Sequence, residues 1–138
     1  MLKVNFYDAI DDELLKFAVI ISKHDGKWVF CKHKERDTYE CPGGHRENKE
    51  SIIDTAKREL WEETGALKYD LKPVCVYSVE RDGAESFGML YYAEIYDFGK
   101  LPEFEIERVE LFSDLPERLT YPLIQPELMK KIILTNLH

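Results

Sequence analysis

Two glycine breakpoints constrain this chain more than any other feature of its sequence. Pro42-Gly43-Gly44 breaks the chain on one side, Gly65 breaks it on the other, and the segment between them carries a helical apolar period. From about Ser51 to Thr64, Ile53, Ala56 and Leu60 recur at three and four residues, and Gly65 stands where a C-terminal cap belongs. Strand-like runs lie on both sides. Leu14 to Ser22 (LLKFAVIIS) is apolar and β-branched toward its end, and after the turn His24-Asp25-Gly26 a second run covers Lys27 to His33 (KWVFCKH), which predicts a hairpin. Downstream, Leu71 to Val79 and Phe87 to Ile95 read as strands around a polar loop over Glu80 to Ser86. A short strand around Val109 to Phe112 comes after the acidic stretch Glu103 to Glu107, and Leu123 to Leu137 reads as a closing helix. Helices interleaved with strands in this order predict an α/β domain with a mixed sheet.

The chain is 138 residues long with no repeat, low-complexity tract or flexible linker, so a single domain over residues 1–138 is expected. A net charge of −8 argues against nonspecific binding to a nucleic-acid polymer or an anionic membrane surface, both of which call for a basic footprint. It leaves room for a polyphosphate substrate, because a divalent cation reverses the local field. Cys31, Cys41 and Cys75 form no C-x-x-C pair and suit a reducing interior. No signal peptide and no apolar stretch of about 18 residues is visible, so the expectation is a soluble cytoplasmic protein, monomeric or homodimeric.

The chemistry concentrates in the helix. Arg58-Glu59-Leu60-Trp61-Glu62-Glu63 places three carboxylates on one side of it, within an arc of roughly 100° at about 100° per residue. Like charges at i, i+3 and i+4 repel, and near the C-terminal end they also oppose the helix dipole. One resolution is a solvated acidic face. The other is a hard divalent cation, Mg²⁺ or Mn²⁺, for which carboxylates form a partial oxygen shell with positions left open for substrate. Pro42-Gly43-Gly44 lets the backbone come close enough for a main-chain carbonyl to complete that shell. Arg58 can pair with a neighbouring carboxylate and fix its orientation, or form an ordinary surface pair with Asp54 or Glu62.

The segment from Gly44 to Ala66 resembles the Nudix hydrolase signature, G-x5-E-x7-R-E-U-x-E-E-x-G-U with U a bulky aliphatic. Gly44, Glu50, Arg58, Glu59, Leu60, Glu62, Glu63 and Gly65 all fall in register, and only Ala66 departs, being smaller than the residue usual at a packing position. The resemblance implies a Nudix-type α/β/α sandwich and Mg²⁺- or Mn²⁺-dependent hydrolysis of a pyrophosphate bond in a nucleoside diphosphate-linked substrate. It implies Glu59, Glu62 and Glu63 as metal ligands with the Gly44 carbonyl beside them, and Glu50 and Arg58 as orienting groups. A further acid from beyond the segment is common in the family, and Glu105 or Glu107 are the candidates here.

Substrate selection lies outside that segment. Lys32, His33, Lys34 and Arg36 form a basic cluster that could receive phosphates or could be exposed loop charges, and Arg81 is a further cation. Trp28, Tyr39, Tyr77, Phe87 and Tyr91 include candidates for stacking on a base, although residues of this kind more often serve as core or sheet-face packing. The run Tyr39-Glu40-Cys41-Pro42-Gly43-Gly44 resembles the MutT-type branch, which implies a (d)NTP substrate, oxidised bases included, cleaved to a monophosphate and pyrophosphate. The alternatives are an ADP-ribose or other nucleotide-sugar pyrophosphatase and a non-catalytic nucleotide-sensing module. The second of these would not need the intact carboxylates.

Overall fold

The computed structural model describes residues 1–135. Its elements are β1 (Leu2–Tyr7), β2 (Leu15–His24), β3 (Lys27–His33), β4 (Tyr39–Glu40), β5 (Gly43–His45), α1 (Ile52–Thr64), β6 (Ala66–Arg81), β7 (Ala84–Phe98), β8 (Ile106–Phe112) and α2 (Gln125–Thr135). The strands form one sheet in the order β1-β6-β7-β2-β3-β4, with β5 also paired to β2 and β8 to β3. Among these strand pairs only β2 and β7 run parallel, so the sheet is mixed as expected.

The continuous apolar run of β2 is explained by burial on both faces. Side chains alternate along a strand. Ala18 and Ile20 accordingly pack with Ala56 and Leu60 of α1 on one side, while Val19 and Ile21 pack with Leu128, Met129 and Ile132 of α2 on the other. Helices on opposite faces of one sheet give the α/β/α sandwich that the sequence resemblance implies.

Helix α1 is set by its ends. The Ser51 hydroxyl accepts the Asp54 N–H at 3.3 Å, and Gly65 takes the left-handed conformation (φ +76°) while donating its N–H to the Trp61 carbonyl at 2.8 Å. The expected stripe needs one correction. Ile53 is 39% exposed, and Ile52 joins the core instead, because the buried line descends at intervals of four through Ile52, Ala56 and Leu60.

Four further points differ from expectation. The polar stretch Glu80 to Ser86 is no loop: only Asp82-Gly83 turns (φ 50° and 85°), and the flanking residues extend the ladder as Arg81↔Ala84, Glu80↔Glu85 and Val79↔Ser86. A two-residue turn with both φ positive matches the twist of paired strands. Gly43–His45 is not merely a breaker but strand β5, aligned with Phe17–Val19 of β2. Strand β1 has no counterpart among the expected elements; it pairs with the outer end of β6 and turns Val4 and Phe6 toward the core. Helix α2 starts at Gln125 rather than Leu123, and the last two residues of its expected span, Asn136 and Leu137, lie outside the described residues together with His138.

Candidate active site

Arg58 is the hub of the site. Its Nε and Nη2 grip the two oxygens of Glu50 at 2.8 and 3.0 Å, a bidentate pair, and Nη2 also donates to the His45 carbonyl at 3.0 Å. Its Nη1 reaches Glu59 Oε1 at 2.6 Å and Glu62 Oε2 at 3.3 Å. One guanidinium thus ties the loop ahead of α1, the end of β5 and two helix carboxylates together. Arg58 holds the Glu50 carboxyl down at about 2, with the Thr55 hydroxyl and Glu47 N–H adding to the effect, so Glu50 is a fixed anion.

The glycines of β5 bring the backbone against the other carboxylates. A Cβ on Gly44 would fall 2.5–2.7 Å from the carboxyl atoms of Glu59, so only glycine lets that group lie flat on the strand. Gly43 donates its N–H to Glu63 Oε1 at 2.8 Å. Glu59, Glu62, Glu63 and Glu105, with Phe104 and Ile106, line a cleft of about 260 Å³. Burial is the main reason that the Glu63 carboxyl is pushed up to about 8; the Gly43 N–H opposes it, and the charges of Glu59, Glu40 and Glu105 add to it. Burial also raises Glu59, against the pull of Arg58.

Among the described residues, no three carboxylate, imidazole or thiol groups converge closely enough to hold a metal ion as they stand. The donor set nonetheless fits a hard divalent cation. Carboxylate oxygens surround one cleft, and the ionisation of Glu59 and Glu63 is resisted by burial and by neighbouring carboxylates, which is the penalty that a cation relieves.

On the opposite side of the Gly43-Gly44 strip lies a larger cavity of about 620 Å³. Phe17, Val19 and Tyr77 form its floor from the sheet, Tyr121, Ile124, Gln125 and Leu128 close it from the α2 side, and Arg81 and Ser86 stand at the far end of the long hairpin. Phe17 and Tyr77 pack at 5.4 Å between ring centroids. The two glycines therefore line the cavity while their atoms touch Glu59 and Glu63 of the cleft.

The remaining predicted residues divide. Glu105 lines the cleft and receives His33 Nε2 at 3.3 Å, whereas Glu107 is engaged by Lys32 at 3.2 Å and by Arg108 at 2.7 Å. Lys32 is thereby buried against Glu107, and Arg36 pairs with Glu40 at 3.0 Å. Lys34 is exposed on the loop. Tyr39 donates to Glu110 at 3.0 Å and packs on Phe112, and is absent from both cavity linings. Of the aromatic candidates only Tyr77 lines the large cavity; Trp28 and Tyr91 are core, and Phe87 packs on Tyr7. Sequence reasoning missed Phe17, Tyr121 and Gln125, which reach the cavity only through sheet order and the path of the chain into α2.

Comparison with known proteins bears on the family and the fold. A model of the NUDIX domain matches residues 13–113. The Bacillus subtilis (strain 168) protein YtkD, assigned as an 8-oxo-dGTP diphosphatase, is 34% identical over 119 residues, which span 86% of this chain and 75% of YtkD. A Lactococcus lactis subsp. cremoris (strain MG1363) protein assigned as a DHNTP pyrophosphohydrolase is 35% identical over 121 residues, 87% of this chain and 71% of the relative. Among solved structures, a variant of the Bacillus subtilis pyrophosphohydrolase BsRppH superposes with a TM-score of 0.82 at 28% identity, over 99% of this chain and 92% of that one.

Proposed function

We propose that this chain, which belongs to the NUDIX family and is a phosphohydrolase of it, cleaves a nucleoside triphosphate to the monophosphate and pyrophosphate, guanine and oxidised guanine nucleotides included. One observation carries the reading: Gly43 and Gly44 line a mainly apolar cavity large enough for a base and at the same time lie against Glu63 and Glu59 of the carboxylate cleft. A base and sugar on the cavity side would deliver the phosphate chain past Gly43 and Gly44 to Glu59, Glu62 and Glu63. The similarity to a DHNTP pyrophosphohydrolase supports a pterin triphosphate as a second substrate, since dihydropterin and guanine share a lactam N–H beside an exocyclic amine.

Glu59, Glu62 and Glu63, with the Gly44 carbonyl, would hold a divalent cation, Mg²⁺ or Mn²⁺. When bound, it supplies charge neutralisation for the anhydride and a water acidic enough to attack at neutral pH. Arg58 and Glu50 position the set: the bidentate pair anchors the guanidinium, and the guanidinium orients Glu59 and Glu62. Glu105 adds a fourth carboxylate to the lining of the cleft. Positioning and electrostatics of this kind carry most of phosphoryl transfer.

The test is hydrolysis of a nucleotide panel with Mg²⁺ and identification of the products, in the wild type and in Glu59→Gln. Monophosphate plus pyrophosphate from a triphosphate, abolished by the substitution without loss of fold, is the expected result. A folded, fully active Glu59→Gln protein would remove the site assignment. ADP-ribose or a dinucleoside polyphosphate outpacing every triphosphate would remove the substrate class.

A further inference from the structure

A histidine of the sheet reaches the carboxylate cleft from outside the helix. Side chains alternate along β3, so His33, its last residue, shares the face of Val29, which packs with α1. From Trp28 to Lys32, β3 pairs with β8 in regular antiparallel register, but His33 stands opposite Ile106 rather than Glu107. That one-residue bulge leaves Glu107 to Lys32 at 3.2 Å, and His33 meets Glu105 instead, Nε2 to Oε2, at 3.3 Å. The other ring nitrogen places the proton. Nδ1 accepts the Glu35 N–H at 3.3 Å, so a neutral imidazole carries its hydrogen on Nε2 and donates it to Glu105. The Lys34 N–H holds the Glu105 carbonyl at 2.8 Å and fixes the backbone beneath.

Glu105 needs such a hold. Its side chain is 74% exposed, against 16% for His33. It lines the cleft with Glu59, Glu62 and Glu63, and its charge acts on Glu59 and Glu63, so repulsion drives it out toward solvent. Among the described residues, His33 is the one side chain that hydrogen-bonds the Glu105 carboxylate, whereas Arg58 engages Glu59 and Glu62 and the Gly43 N–H engages Glu63.

We infer that His33 is a positioning residue of the hydrolysis: its Nε2–H keeps the Glu105 carboxylate turned into the cleft, against Glu59 and Glu63. This inference rests on the proposed function. With Nδ1 accepting and Nε2 donating, the neutral ring has no donor left for a phosphate, which sets His33 apart from the exposed Lys34 beside it. An acceptor held in place at the reacting centre bears on kcat. A phosphate contact made equally in the ground state and the transition state bears on KM.

His33→Leu removes both ring nitrogens, His33→Gln keeps a side-chain N–H, and Glu105→Gln removes the charge that the ring holds. The test is kcat and KM for GTP with the Mg²⁺-loaded protein in these variants and in the His33→Leu/Glu105→Gln double variant. Nitrogen-15 NMR shifts of the His33 ring, read in the nucleotide-free protein at pH 8.5, accompany it. His33→Leu should lower kcat about tenfold with KM changed less than about twofold, and His33→Gln should recover most of the loss. Glu105→Gln should lower kcat at least as far, and adding His33→Leu to it should cost less than about twofold more, since the ring acts through that carboxylate. The ring should show a bare Nδ1 and a protonated Nε2 whose shift moves in Glu105→Gln. An unchanged kcat in His33→Leu or in Glu105→Gln, a loss confined to KM, equal losses in both backgrounds, or a proton on Nδ1 would overturn the role of His33 while leaving the proposed hydrolysis standing. Were His33→Leu to unfold, the proton's place on the ring and the kcat of Glu105→Gln would still decide. A wild type that turns over no triphosphate, with Nε2 still responding to Glu105→Gln, would overturn the reaction and uphold the pairing of His33 with Glu105.

Discussion

Replacing Glu63 by glutamine tests the electrostatics of the cleft directly. In the fold the Glu63 carboxyl ionises only near 8, against an ordinary value of 4.5, chiefly because it is buried. The folded state therefore binds the proton more tightly than the unfolded chain does, so stability is fully present below pH 4.5. It is lost as pH rises through about 8 and is level beyond. At about 1.4 kcal/mol per pH unit across that gap, the loss is on the order of 5 kcal/mol. In Glu63→Gln the amide keeps an acceptor for the Gly43 N–H and nearly the same volume, but has nothing to ionise. Urea unfolding in EDTA at pH 5, 7 and 9 should show similar stabilities for the two proteins at pH 5 and a variant several kcal/mol more stable at pH 9. Millimolar Mg²⁺ should restore the wild type at pH 9 and leave the variant nearly unchanged. Parallel pH profiles for the two proteins in EDTA would refute the reasoning.

Further substitutions probe other parts of the same site. Gly44→Ala drives a methyl into the carboxyl end of Glu59, a flexible group that can move aside; the thermal midpoint should hold while kcat/KM falls about a hundredfold. Arg58→Ala leaves Glu50 without its bidentate partner in a mostly buried setting, which should cost about 2 kcal/mol in urea unfolding along with most of the turnover. Gly65→Ala forces a left-handed φ on a residue with a Cβ and sets that atom 3.1 Å from the Gly99 carbonyl, for a loss of about 1–2 kcal/mol by thermal denaturation.

What could be read from the sequence was local. Helix α1 was legible because its caps and apolar spacing sit within one short segment, and the β2–β3 hairpin because Asp25-Gly26 turns both φ values positive between two apolar runs. The grouping of Glu59, Glu62 and Glu63 was legible for the same reason. Strands β1 and β5 were not, since each exists through a partner elsewhere in the chain, and the three residues of β5 read alone as a glycine turn. The choice between Glu105 and Glu107 likewise depended on which one Lys32 and Arg108 would claim. The cavity was beyond reach, because Phe17, Cys41 and Gln125 come together only when α2 is laid across the sheet. The error at Ile53 had a simpler source: Ile52 and Ile53 are adjacent, and periodicity alone does not say which of two neighbours faces inward.

The thin strip at Gly43 and Gly44 has an evolutionary corollary. The crowded carboxylates stand on one side of it and the large cavity on the other, where Tyr121, Ile124, Gln125 and Leu128 of α2 and the turn ahead of it form part of the lining. Mutations can remodel the second without disturbing the first, so under the proposed function a lineage built on this plan is free to exchange one nucleotide for another while its bond-breaking apparatus stays constant.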